Sequence, residues 1–131
     1  MAKTNKEVIS DWIEKKLQGQ GDPFEDLAQE FTLVVPGPVE SPIFRTHRGI
    51  EEFKNLLELL SEKASMTFEL TDCISEGNKV VACVDEIFTL HNDPSKHYVN
   101  RCAWLFTLNA EQKIIHFYAY DDTKMTSELF T

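Results

Sequence analysis

No apolar run in this 131-residue chain is long enough to span a bilayer, and the polar start, Met1-Ala-Lys-Thr-Asn-Lys-Glu, has no signal-peptide core. Basic residues are scarce: 13 Lys and Arg against 22 Asp and Glu leave a formal net charge of -9. That balance argues against nucleic acid and anionic membrane as partners. The three cysteines, Cys73, Cys83 and Cys102, are odd in number and scattered, which fits reduced, packed thiols better than a disulfide framework. A cytoplasmic location is the expectation. His47, His91, His97 and His116 lack metal-ligand spacing, so no metal is expected, and no cofactor is implied. No Ser-His or Cys-His arrangement for covalent catalysis is visible. Repeats, linkers and low-complexity segments are also missing, leaving residues 1–131 as one domain.

What is present is a globular composition, 42% apolar, in a chain long enough to bury a core. Val8, Ile9, Trp12, Ile13 and Leu17 form one stripe of a helix over about 5–18, stopped by Gly19 and Gly21. Asp22-Pro23-Phe24-Glu25 has the look of a helix start. It predicts a short second helix with Phe24, Leu27, Ala28 and Phe31 inward. Thr32 to Val35 reads as a strand broken by Pro36-Gly37-Pro38, with Ile43 to Thr46 as its partner. Ile50 to Lys63 is the clearest helix, with Phe53, Leu56, Leu57 and Leu60 on its inner face. From Met66 the period changes to two. Four strands follow, 66–75, 79–91, 97–108 and 113–121, joined by loops short enough for antiparallel hairpins. Helices first and a strand meander afterwards predict an α+β fold, helices on one side of a curved sheet.

Within that meander, Glu86 stands out. It shares a strand face with Val80, Ala82, Val84, Phe88 and Leu90, where a carboxylate must find a partner or keep its proton. Glu86 is therefore the candidate acid/base at the floor of a pocket. A structural carboxylate tied to a buried Tyr or Arg is the competing reading. The opposite face of the last strand, His116, Tyr118 and Tyr120, forms an aromatic stripe expected at the interface of a homodimer. Arg101 and Asp85 are placed to pair across the outer sheet face, and His47 is expected at the surface in a loop over the pocket.

The order of these elements, with Gly21-Asp22, Pro36-Gly37-Pro38, Arg48-Gly49-Ile50-Glu51-Glu52-Phe53, Glu76-Gly77-Asn78-Lys79-Val80-Val81 and Tyr120-Asp121-Asp122-Thr123, resembles the nuclear-transport-factor-2-like superfamily. That group includes ketosteroid isomerase and the SnoaL-like polyketide cyclases. The resemblance implies a cystatin-like cone, three N-terminal helices packed on a curved antiparallel sheet around an apolar pocket, and a homodimer. It places Trp104 and Val35 where the isomerase pattern has its acids, so an ordinary isomerase mechanism is not expected. It also turns Glu86, Phe88, Trp104, Phe117, Ala119 and Asp121 toward the pocket. Asp121 is the expected acid/base counterpart of Glu86, with Asp122 ending or capping the strand. Trp12, Phe53, Asn100 and Tyr98 complete the expected binding set, Asn100 as a donor to a ligand oxygen and Tyr98 nearer the rim. Two functions fit: an enzyme acting on a small apolar or ring-shaped molecule by isomerisation, cyclisation or hydrolysis, or a non-enzymatic dimeric ligand-binding or adaptor module.

Overall fold

The computed structural model describes residues 2–130. Thr4 caps the first helix, α1 (Asn5–Glu14), by accepting from the Glu7 amide, while the Glu7 side chain accepts from the Thr4 amide. Ile9, Trp12 and Ile13 point from α1 into the core. A single 3₁₀ turn, Lys16–Gln18, closes the segment on Gly19, whose φ of 89° is left-handed.

The second helix expected from Asp22 does not form. Asp22 Oδ1 accepts from the Phe24 amide in a tight turn, and Lys16 reaches across to Glu25 and Asp26 at 2.8 and 2.6 Å. The chain then enters β1 (Leu27–Val34). Leu27, Ala28 and Phe31 are buried, as a helix face would also bury them, so their spacing fits both forms. Pairing decides the matter. The Ile114 amide donates to the Asp26 carbonyl at 2.7 Å, and β1 runs parallel to the last strand with Leu33 opposite Phe117. A long-range ladder overrides the local helical signal.

β2 (Thr46–Arg48) pairs with β1 slightly later in sequence than expected, Leu33 facing His47. It leads directly into α2 (Gly49–Lys63), where Phe53 and Leu56 are buried. Then come β3 (Ala64–Glu76), β4 (Lys79–Leu90), β5 (Asp93–Leu108) and β6 (Ile114–Tyr120). The six strands form one sheet in the order β2-β1-β6-β5-β4-β3. The sheet is mixed rather than wholly antiparallel, because β1 and β6 are parallel. The β3–β4 register shifts between Leu70 and Asp72, with Thr71 the extra residue on β3, and the β4–β5 register shifts after Thr89, with the extra residues on β5.

The helix count also needs correcting. The third helix is not N-terminal: it is α3 (Thr123–Phe130), following β6. Asp122 starts it, its Oδ1 accepting from the Met125 amide at 3.2 Å. Phe130 of α3 packs edge-on to Phe88 of β4, with ring centroids 5.3 Å apart. Among the described residues, no helix is long and apolar enough to cross a membrane.

Candidate functional site

The inner faces of β3, β4, β5 and β6 alternate with outward residues, and this puts one side chain in two from each strand toward the helices. On β4 that series carries Val80, Ala82, Val84, Glu86 and Phe88. Glu86 lies in register between Phe68 on β3 and Asn100 on β5. Asp121 follows the last residue of β6, so it sits at the corner where the chain leaves the sheet for α3.

Asn100 holds that corner. Its side chain is fully buried, and its Oδ1 accepts from the Asp122 amide at 2.9 Å. The result brings Asp121 beside Glu86, with the Cys102 thiol as a third member. Their nearest ligand-type atoms all lie within 4.8 Å of one another. Trp104 Nε1 donates to Asp121 Oδ1 at 3.3 Å, and the Cys102 thiol stands 4.0 Å from Glu86 Oε1.

The electrostatics follow from burial without a countercharge. Desolvation, and next the charge of Asp121, raise the pKa of Glu86 well above the usual carboxylate range. Burial also raises Asp121, against the opposing hydrogen bonds from Cys102 and Trp104. The Cys102 thiol is pushed upward by burial and by the two acids, so it holds its proton. A metal held by Glu86, Cys102 and Asp121 would take the place of the thiol proton.

Above the acids is a cavity of about 80 Å³. That is room for several waters or one compact organic molecule. Phe88, Trp104, Phe117 and Ala119 border it from the sheet, and Trp12 and Phe53 from the helices. Trp12 is tied down by its indole, which donates to the Pro23 carbonyl at 2.8 Å. Trp104 packs between Phe68 and Phe117, with centroids 5.7 and 5.1 Å away. Val35 borders the same space, so both positions that the isomerase pattern gives to acids are apolar walls here.

Two expected binding residues lie elsewhere. Asn100 is packed beneath the site rather than lining it, with its oxygen on the Asp122 amide. Tyr98 packs against the smaller cluster of Ala64, Phe88 and Leu129 under α3. His47 is not a surface residue either: it is 3% exposed, its Nε2 against the Ile43 carbonyl at 2.8 Å, and burial lowers its pKa. The outer pair Arg101–Asp85 does form, at 3.8 Å.

Cavity residues outside the expected binding set include Leu33, Phe44, Met66, Phe68, Thr126 and Phe130. Phe68 was visible as the inward neighbour of Glu86 once β3 was registered, and Cys102 lies by alternation between Asn100 and Trp104. Thr126 and Phe130 depend on α3. Their signal was an aspartate start followed by Met125, Leu129 and Phe130, which the reading of Asp122 as a strand end concealed.

No protein-family model and no curated protein matches the sequence. Solved structures do match in fold. An NTF2-like protein of unknown function from Burkholderia pseudomallei superposes with a TM-score of 0.83 over 99% of both chains, at 14% identity. A SnoaL-like polyketide cyclase from a Jannaschia species gives 0.76 over 99% of this chain and 96% of its own, at 15% identity. A protein of ketosteroid-isomerase-like fold from Catenulispora acidiphila, in complex with trimethylamine, gives 0.73 over 89% and 86%, at 16% identity. The chain therefore has the NTF2-like fold, the one shared with SnoaL-like cyclases and ketosteroid-isomerase-like proteins.

Proposed function

We propose that this protein binds a small apolar or ring-shaped molecule in the cavity between sheet and helices, and that Glu86 exchanges a proton with it. The carrying observation is the pairing of Glu86 with Asp121 on an otherwise apolar wall that supplies no cation to neutralise them. Phe88, Trp104 and Phe117 contribute ring surface for burial of the ligand. Glu86, raised by desolvation, is the acid/base, and Asp121, held by the Trp104 indole, is its counterpart. Isomerisation, cyclisation or hydrolysis would each use such a pair for its proton transfers. An ordinary ketosteroid isomerase mechanism is disfavoured by Trp104 and Val35.

The test is the titration of the Glu86 carboxyl by carbon-13 NMR, assigned with Glu86→Gln. A midpoint well above about 4.3, moving when ring compounds are added, is the expected result. A midpoint at the ordinary value, insensitive to all of them, overturns the acid/base role.

A non-enzymatic ligand carrier is the second reading, and one observation favours it. Among the described residues, the side-chain N–H groups bordering the cavity, Trp12 and Trp104, are already bonded to protein acceptors, which leaves only the protons of the two acids to meet a developing oxyanion.

The protein also acts as a homodimer through the outer sheet face, in this proposal. Tyr118 and Tyr120 stack there at 4.3 Å, and the exposed Ile74, Val99 and Tyr120 all share that face. Sedimentation should give twice the chain mass, and Tyr120→Glu should shift it toward one. A wild-type monomer at micromolar concentration sinks the idea. The proposed location is the cytoplasm, in keeping with three free cysteines.

A further inference from the structure

We infer that the molecule seated against Glu86 and Asp121 is a compact organic cation, an amine with apolar substituents; this rests on the small-molecule reading above and names its chemical class. The polar equipment of the cavity is one-sided. Glu86 and Asp121 are acceptors, and no Lys, Arg, His, Asn, Gln or Tyr side chain borders the space among the described residues. The side-chain donors that do border it are spent within the protein. Trp12 Nε1 donates to Pro23, Trp104 Nε1 to Asp121, and Thr126 Oγ1 to the Asp122 carbonyl at 3.1 Å. Apart from protons the acids themselves carry, a ligand finds acceptors only. It must bring the donors.

Asn100 supplies an independent observation. Its side chain is fully buried directly opposite Glu86 in the β4–β5 register, yet its Nδ2 makes no well-formed hydrogen bond. The amide lies near enough to favour the charged form of Glu86. It is a donor prepared for an ionised carboxylate. Such a carboxylate, in this apolar setting, needs a countercharge, and no side chain at the cavity provides one. An ammonium does. The rings of Phe68, Trp104 and Phe117 around the acids add cation–π attraction for its substituents and charge.

The protonic balance of binding is definite. An amine arriving as its cation keeps its N–H bond, the O–H bond of Glu86 breaks, and that proton leaves to buffer. An amine arriving neutral accepts the Glu86 proton on its nitrogen lone pair, and none is released. The groups facing Glu86 that can alter this are Asp121 beyond β6 and Cys102 on β5. What β3, α2 and α3 present there, Phe68, Leu57, Leu60 and Phe130 among them, does not titrate.

Benzylamine, benzyl alcohol and phenylacetate test the inference, since they share a ring and differ in charge. Binding to the full chain is followed by Trp fluorescence and calorimetry from pH 5 to 9. Benzylamine is expected to bind at least tenfold more tightly than benzyl alcohol at the upper end. Its affinity should rise by about tenfold per pH unit below the Glu86 midpoint, with one proton released, and then level off. Glu86→Gln should lower the preference for the amine at least tenfold, with an unchanged circular dichroism spectrum and a cooperative urea transition showing that the variant is folded. Equal binding of the alcohol, tighter binding of phenylacetate, or a preference indifferent to pH overturns the cation and leaves the small-molecule reading intact. Binding of none of the three overturns the cation as well; joined to an ordinary Glu86 titration, it removes both readings.

Discussion

Asn100 does two jobs with one side chain, and each is open to measurement. Its oxygen fixes the Asp122 amide, so it determines where the chain turns and therefore where Asp121 points. Its nitrogen favours the ionised form of Glu86. Asn100→Ala removes both at a fully buried position. The expected cost is about 1–3 kcal/mol, from the lost hydrogen bond and the unfilled space, read as a lower urea midpoint. The Glu86 carboxyl should also titrate higher than in the wild type, because the group that favoured its charge is gone. An unchanged urea midpoint together with an unchanged Glu86 titration contradicts both jobs. Glu86 itself was legible in sequence, since period-two alternation through Val80, Ala82, Val84 and Phe88 needs no knowledge of partners. Asn100 was placed on the right face, but its second task was hidden: alternation says that a side chain turns inward, not that its oxygen also holds the Asp122 amide.

At the scale of elements, the same limit separates what the sequence carries from what only the fold supplies. α1, α2 and the strands from β3 to β6 were legible because each has enough turns or alternations to average out single residues. β1 was not. Leu27, Ala28 and Phe31 satisfy a helical stripe, and Asp22-Pro23 resembles its start. What converts the segment into a strand is its parallel pairing with β6, more than eighty positions later in the chain. The parallel pair makes the sheet mixed, and a meander pattern gives no hint of it. α3 was hidden differently. Asp121 and Asp122 were read as a strand end, whereas Asp122 caps a helix whose Thr126 and Phe130 help close the cavity. Thus the floor of the site was readable and part of its cover was not. The floor is written in local alternation, while the cover depends on an eight-residue helix whose stability comes from packing on Phe88 and its neighbours.

For the molecule as a whole, the raised acids make stability depend on pH in an unusual direction. An ordinary solvated carboxylate titrates near 4.3, and that is the behaviour of Glu86 in the unfolded chain. In the folded chain its pKa is higher. Between those two values the folded state holds a proton that the unfolded state has lost, so stability is full below the lower value and falls as pH rises toward the higher one. One group contributes about 1.4 kcal/mol per pH unit across that window. His47 acts oppositely: burial lowers its pKa, so its contribution improves as pH rises and is complete above its ordinary value of about 6.5. The wild-type curve mixes these with Asp121, but the difference between wild type and Glu86→Gln cancels His47 and leaves Glu86 together with its effect on Asp121. That difference should be small near pH 4 and then grow in favour of the glutamine variant as pH rises, levelling once Glu86 is ionised in both states. Urea unfolding at half-unit steps from pH 4 to 9 measures it. A difference that stays constant over the whole range means that Glu86 is not desolvated in the folded protein, and the proton at the floor of the cavity is then not there to be exchanged.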